Sequence, residues 1–347
     1  MSQNRRFITV NEAQPPFFVG LDLGGTDVKV GVVDDLGRPL CWLTTPTQPQ
    51  NGPEDASRRV GRTVLEAIHQ AGLEPAATAR VGLGSAGIID SAAGILLKPV
   101  NLKGWDNFPL RDRVGTHCGL PVTLANDANA AAYGEFWVGS GRDFHSMVLF
   151  TLGTGIGSGI IVGDMAIDGE HNCGAECGHI IIDCAENARL CGCGQRGHLE
   201  AYASGTAVVQ RAREALEAGH PSSLNEHLAQ CPHLTPKLLA QEAEAGDALS
   251  LEIIADTARY LAIGIVNLMH TINPSGVLLG GAMTFGGHQT PLGRQFLKWV
   301  KDEVSGRAFR GPAEQTVIDF ATLGGDAGYI GAAGLARLEQ RKLSKTV

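Results

Sequence analysis

No Gly-Lys pair occurs anywhere in the chain, so a G-x-x-x-x-G-K-[ST] phosphate loop is excluded, and a G-x-S-x-G elbow for a nucleophilic serine is absent as well. Basic excess is missing: the net charge is −8, which makes nucleic acid an unexpected partner. The N-terminus, "MSQNRRFITVNEAQPPF", has charges but no continuous apolar stretch behind them, so it does not read as a secretory signal and a cytoplasmic protein is expected. No segment suits a bilayer. The most apolar window, "MVLFTLGTGIGSGIIVG" (147–163), carries five glycines and is too short and polar to span one, which points instead to strand, turn and strand. Internal repeats and low-complexity linkers are also lacking.

What is present describes an ordinary globular protein, with 44% apolar and 18% charged residues. At 347 residues the chain is long enough for two domains, and a cleft between them is a natural place for a site. The cysteines stand at 41, 118, 173, 177, 184, 191, 193 and 231. Five of them fall within 173–193 in a chain with no export signal, and that clustering favours metal binding over disulfides.

The pattern predicts a mixed α/β architecture. "FFVGLDLGG", "VKVGVVDDLGRPL" and "LCWLTT" read as an antiparallel meander beginning near Phe17. "PEDASRRVGRTVLEAIHQAG" reads as a helix, with Pro53 and two acids in its first turn and Gly72 at its end. "ARVGLGSAGIID" returns to strand, a helix follows over Leu110 to Cys118, and "PVTLANDANAAAYGEFW" passes from strand into helix at Asp127. After the 147–163 hairpin comes the Cys/Gly-rich segment 171–200, then mostly helix from Ser204 to about Thr271, broken around "CPHLTPKLL". "SGVLLGGAM" is a strand entering a glycine turn, and the chain ends in a helix of small residues suited to close packing. Both halves thus share one grammar: a strand hairpin with a glycine turn, further strands, then helices.

Four glycine clusters follow apolar runs: Gly24-Gly25-Thr26, Gly82-Leu83-Gly84, Gly153-Thr154-Gly155 and Gly280-Gly281. Glycine lets backbone N–H groups converge on an anion, and an adjacent threonine hydroxyl adds a donor. Each could be only a tight hairpin, but "DLGGT" in one half and "LGTGIG" in the other together could grip a polyphosphate. "GLGSAG" (82–87) fits G-x-G-x-x-G, yet "IIDSAAGILL" follows it as strand and turn where the dinucleotide fingerprint requires a helix.

Asn126 and Asp127 stand between an apolar strand and an Ala-rich helix, at the end of a sheet where α/β sites lie. Asp127 there is either a helix N-cap or a functional acid. Phosphoryl transfer to a hydroxyl needs a phosphate cradle, a divalent cation and a carboxylate that orients the acceptor and takes its proton; Asp127 is the best-placed acid. Asp22, just before the first glycine turn, either caps that turn or holds magnesium through water.

These motifs in this order resemble the ROK family of sugar kinases, and within it the bacterial glucokinases. The long family signature runs from Leu152 to His179, and "DLGGT", the "ND" at 126–127, "ECGH" at 176–179 and C-x-C-G-x-x-G followed by Glu200 are in family order. The resemblance covers roughly Phe17 to Leu338. It implies a two-domain actin-like ATPase fold with a cleft between domains, a small N-terminal domain from 1–125 completed by 326–347, a large domain 126–325 with a zinc-binding loop, and homo-oligomers, commonly dimers. Asp127 matches the catalytic base for the sugar 6-hydroxyl. Asn101, Asn126, Glu176, His179 and Glu200 match sugar-hydroxyl ligands, which suits planar carboxylates and amides able to take two hydroxyls each. Asp22, Gly24, Gly25, Thr26, Gly153, Thr154 and Gly155 match the nucleotide-phosphate region, with Gly280 and Gly281 towards the adenosine. Ala86 stands where relatives often have proline, a departure expected to be harmless.

The resemblance also implies a structural zinc ion, held by the histidine of E-x-G-H and three cysteines spaced C-x-C-x4-C. His179, Cys191 and Cys193 match, but His198 occupies the third cysteine position. Zinc accepts imidazole as well as thiolate, so Cys2His2 ligation is expected; the alternatives are that Cys173, Cys177 or Cys184 replaces His198, or that no metal binds.

The expected function is therefore ATP- and magnesium-dependent phosphorylation of glucose to glucose 6-phosphate, with domain closure excluding water. The alternatives are another hexose (mannose, fructose), an N-acetylhexosamine such as N-acetylglucosamine or N-acetylmannosamine, or a sugar-responsive non-catalytic regulator. Repressors of this family carry an N-terminal helix-turn-helix of several dozen residues; only about sixteen residues precede the first expected strand here, and Asp127 is retained.

Overall fold

The computed structural model describes residues 6–99, 102–230 and 233–346; Asn101 and Cys231 lie outside the described residues. In chain order the elements are β1 (Phe17–Leu23), β2 (Asp27–Val33), β3 (Pro39–Pro46), α1 (Pro53–Gln70), β4 (Thr78–Ser85), β5 (Gly87–Asp90), β6 (Ile95–Pro99), α2 (Leu110–Cys118), β7 (Val122–Asn126) and α3 (Asp127–Trp137). There follow β8 (Ser146–Leu152), β9 (Ile156–Val162), β10 (Met165–Ala166), α4 (Glu200–Ala203), α5 (Gly205–Glu217), α6 (Leu224–Gln230), α7 (Pro236–Glu244) and α8 (Ala248–Ile272). The chain closes with β11 (Gly276–Gly280), α9 (Pro291–Arg307), α10 (Arg310–Gln315), β12 (Val317–Phe320) and α11 (Ala327–Thr346). These residues pack as two compact units, Met1–Asp143 with Gly159–Ala175 and Leu323–Val347, and Phe144–Ser158 with Glu176–Thr322.

The first unit is built on a five-stranded sheet of order β3-β2-β1-β4-β7. The expected meander forms its antiparallel side, and β1, β4 and β7 run parallel. Strand period 2 sorts β1 cleanly. Phe17, Val19, Leu21 and Leu23 join a core with Val60, Val64 and Ile68 of α1 and Val114 of α2, whereas Phe18 packs with Tyr329, Ile330 and Ala333 of α11. Each such side chain, once fully buried, contributes about 1.5–3 kcal/mol.

The small residues of α11 let it lie directly on the sheet. Gly20 and Gly82 are register partners on β1 and β4, and a Cβ on either would overlap a backbone carbonyl of α11, that of Tyr329 or of Ala332. α3 is packed as closely, because a Cβ on Gly331 would meet the Ala130 carbonyl. This packing puts α3 in the first unit, beyond the boundary expected at Asn126.

The second sheet repeats the arrangement, with order β10-β9-β8-β11-β12 and β8, β11 and β12 parallel. β9 begins in the second unit at Ile156 and continues into the first beyond Ser158. The long α8 of the second unit is capped by Asp247, whose side chain accepts from Ser250 N, and it buries Ile253, Ile254, Thr257, Ala258, Leu261 and Ile265 at helical spacing. No described helix is long and apolar enough to cross a membrane.

Candidate active site and metal cluster

In the first unit the register brings the predicted residues to one end of the sheet. Asp22 pairs with Gly84, Leu23 with Ser85, and Ser85 with Asn126, so the ends of three parallel strands lie side by side. With β4 between them, the backbones of the Asp22 and Asn126-Asp127 regions stand ~10 Å apart across the sheet. No helix follows "GLGSAG"; β5 does, as the rejection of a dinucleotide site required.

The helix cap falls on Asn126. Its Oδ1 accepts from the N–H groups of Ala128 and Asn129 at 2.9 and 3.2 Å, and its Nδ2 donates to the Gly87 carbonyl at 3.3 Å. Asp127 is the first helical residue, half-buried, with Oδ1 accepting from Ala128 N at 2.9 Å. A carboxylate there lies in the positive field of the helix N-terminus. Capping and carboxylate thus reside on two adjacent side chains.

Asp22 faces Lys29 across the β1–β2 ladder, with Nζ 3.0 Å from Oδ2, and Lys29 also donates to the Gly325 carbonyl at 3.1 Å. The Gly24-Gly25-Thr26 turn is closed by Gly24 N donating to Asp27 O at 3.0 Å. It is braced by Thr47, fully buried, whose Oγ1 donates to Gly24 O at 2.6 Å and whose N–H donates to Thr26 O at 2.7 Å. Thr47 escaped notice in the sequence because it follows β3 in a loop without a motif, and only the meander brings it back to the turn.

In the second unit, the Gly153-Thr154-Gly155 turn follows β8 and Gly280-Gly281 ends the adjacent β11, where Gly280 pairs with Thr151. Met283 N donates to Leu152 O at 3.0 Å, so the two glycine turns are neighbours. Gly153 has open space where a Cβ would be, whereas at Gly155 a Cβ would collide with the Glu200 carboxylate. Glu200 Oε2 accepts from Ile156 N at 2.8 Å, and its Oε1 lies 3.6 Å from Cys191 Sγ. Glu176 is exposed at the start of the turn carrying His179.

His179, Cys191, Cys193 and His198 bring one donor atom each to within 4.8 Å of one another. His179 Nδ1 lies 3.2 Å from His198 Nδ1 and 3.8 Å from Cys191 Sγ, and Cys193 Sγ lies 3.3 Å from His198 Nδ1. Metal–ligand bonds of ~2.0–2.3 Å at the tetrahedral angle separate ligand atoms by ~3.3–3.8 Å, so the set fits a zinc-sized ion. Cys173 and Cys184 are exposed, Cys177 is buried with its N–H on Ser158 Oγ, and none of them belongs to the converging set. Burial and the neighbouring His179 hold His198 below the usual imidazole range, which favours the neutral form a metal binds. Burial pushes the Cys191 thiol up to about 11, and coordination to a cation is what would deprotonate it. His179 turns Nδ1 to this cluster and so keeps Nε2 as a second polar atom.

A family model described as "ROK family" matches residues 18–339. The chain is 36% identical over 322 residues to the glucokinase of Thermotoga maritima, covering 92% of this chain and 96% of that one. A ROK hexokinase structure from Thermus thermophilus aligns with a TM-score of 0.78 at 30% identity, over 94% of this chain and 99% of that one. A ROK glucokinase from Streptomyces griseus, solved with glucose and AMPPNP, aligns with a TM-score of 0.71 at 31% identity, over 93% and 99% of the two chains. The two glycine-turn sheets are therefore those of the actin-like ATPase fold of these sugar kinases. With the signature motifs in order and the match extending over nearly its whole length, the chain belongs to the ROK family.

Proposed function

We propose that this protein transfers the γ-phosphoryl group of ATP to the 6-hydroxyl of glucose, with Asp127 as general base. The observation that carries this is the division of labour at the start of α3, where Asn126 caps the helix and Asp127 presents a half-buried carboxylate at the carboxyl end of the parallel strands. Asp127 takes the hydroxyl proton as the oxygen attacks phosphorus. Asn101, Asn126, Glu176, His179 through Nε2, and Glu200 hold the sugar hydroxyls. The Gly24–Thr26 and Gly153–Gly155 turns bind the phosphates through backbone N–H groups, Gly280 and Gly281 lie towards the adenosine, and Asp22, shared with Lys29, faces the magnesium side. Magnesium supplies charge neutralisation on the phosphates. Zinc, held by His179, Cys191, Cys193 and His198, is structural: it fixes the loop bearing Glu176 and Glu200. The protein is read as a cytoplasmic homodimer, which size-exclusion chromatography with light scattering tests.

The test is ADP release across a panel of hexoses and N-acetylhexosamines with ATP and magnesium. Glucose should support the highest kcat/KM; a preference for mannose, fructose or an N-acetylhexosamine would reassign the substrate, and sugar binding without ADP release would indicate a regulator. Asp127→Asn should lower kcat by ~10²–10⁴-fold while leaving the melting temperature near that of the parent, because the cap belongs to Asn126. Turnover within a few-fold of the parent would remove Asp127 from the role of base.

A further inference from the structure

The two segments that carry the metal-binding histidines also hold the second glycine turn. On one side, Cys177 N donates to Ser158 Oγ at 2.9 Å, and Gly178 lies so near the Ile156 carbonyl that no Cβ fits there. On the other, the chain leaves His198 through Leu199, which is wholly buried and whose N–H donates to Ile180 O at 3.0 Å. It then enters α4 and α5, from which three bonds reach the turn and a fourth the residue after it. Glu200 Oε2 accepts from Ile156 N at 2.8 Å, Gly205 N donates to Gly153 O at 2.8 Å, and Thr206 donates to Thr154 O through both N at 3.2 Å and Oγ1 at 2.9 Å.

The direction of these bonds matters. In a trans peptide, N–H and C=O point opposite ways, so drawing the Gly153 and Thr154 carbonyls towards the start of α5 turns the N–H groups of Thr154 and Gly155 away from it. Those are the groups that an anion meets, and Gly153 leaves the approach open. The two segments are joined by backbone pairing at their edges, Leu199 N donating to Ile180 O at 3.0 Å and Ile182 N to Gly197 O at 2.8 Å, and His179 and His198, with Nδ1 atoms 3.2 Å apart, are the point where a shared ligand would lock that pairing through side chains.

We propose that residues 198–206 act as a strut between the His179/Cys191/Cys193/His198 cluster and the Gly153–Gly155 turn, so that a metal in the cluster tightens nucleotide binding as well as sugar binding, with Thr206 as a positioning residue. The proposal rests on the phosphotransferase reading above, and it goes beyond that reading in giving the metal an effect on the phosphate side of the reaction.

Calorimetric titration of the full-length protein with ADP and magnesium, with no sugar present, tests it. The zinc-loaded parent, its zinc stoichiometry measured, is compared with chelator-stripped protein and with Thr206→Val and Thr206→Ser, both zinc-loaded. Stripping should weaken ADP binding by about three- to tenfold, and reloading zinc should restore it. Thr206→Val, which removes the Oγ1–H donor but keeps the shape, should weaken ADP binding about two- to fivefold with zinc content and glucose affinity unchanged. Thr206→Ser should bind as the parent does, and in stripped protein Thr206→Val should add little, because the strut is already loose. Equal ADP affinity with and without zinc, or a Thr206→Val effect of the same size in both states, would overturn the coupling alone. No ADP binding by the zinc-loaded parent would overturn the phosphotransferase reading and the coupling together.

Discussion

Replacing His198 by alanine removes one of four converging donors, and its effect can be worked from the cluster. Structural zinc sites bind with an apparent ~10–16 kcal/mol at neutral pH, or ~3 kcal/mol for each of four ligands, so the loss of one should weaken zinc binding by ~10²-fold. His198 is only 9% exposed, and alanine also leaves a small void beneath the loop. That second cost is separated from the first by His198→Cys, which restores a zinc ligand without restoring the imidazole. The assay is zinc content by mass spectrometry after equilibration against chelators of graded strength. His198→Ala should release its metal at ~10²-fold lower chelating power than the parent, and His198→Cys should return towards the parent. The melting temperature should separate parent from His198→Ala when zinc is present and much less after stripping, since a ligand bound only to the folded state stabilises by mass action. If parent and His198→Ala release zinc at the same chelator strength, His198 is not a ligand and the fourth donor lies elsewhere.

Asn126→Ala should destabilise by about 1–2 kcal/mol in denaturant titrations, through loss of the cap to Ala128 and Asn129, while Asn126→Asp, which keeps the acceptor, should cost less. Gly82→Ala should be severe, at ~3 kcal/mol or more, because its Cβ meets the Ala332 carbonyl and α11 must move; Gly306→Ala in α9, with open space around it, should be neutral or stabilising by up to ~1 kcal/mol. Asp34 is wholly buried, and although burial opposes its charge, the Arg38 guanidinium and the N–H groups of Gln14, Arg38 and Leu36 hold its carboxyl below the usual carboxylate range. A carboxyl whose folded value is depressed stabilises above the unfolded value and loses that contribution as pH falls, so stability should decline below about pH 4. Asp34→Asn should flatten that acid limb in melts measured from pH 6 to 3, and an unchanged limb would show that Asp34 does not shape it.

Local patterns decided much of this protein. The meander from Phe17, the helix from Pro53, the helix over Leu110–Cys118 and the strand-to-helix passage at Asp127 are all where periodicity, turn residues and caps put them. These signals act over a few residues, so they survive in a linear reading. The resemblance to the family's E-x-G-H and C-x-C-x4-C motifs implied a donor set of His179, Cys191, Cys193 and His198, and those donors do converge. Cap and candidate base were ambiguous at Asp127, because either role suits an acid at a helix start and only backbone geometry shows that Asn126 already serves the amides.

Other features depend on residues far apart in the chain and had no local signal. Thr47 braces a turn at Gly24 and Thr206 reaches Thr154, each through pairing or docking that no short window contains. The assignment of α3 to the first unit arises in the same way, from its packing against a helix that begins at Ala327. The sequence by itself thus determined which elements form and which chemistry-bearing residues they carry, since those choices rest on neighbouring side chains and backbone propensity. Tertiary structure decided which side chain caps, which braces and which stays available to a ligand, because a hydrogen-bonding group can be committed only once its distant partner has been brought within about 3 Å of it.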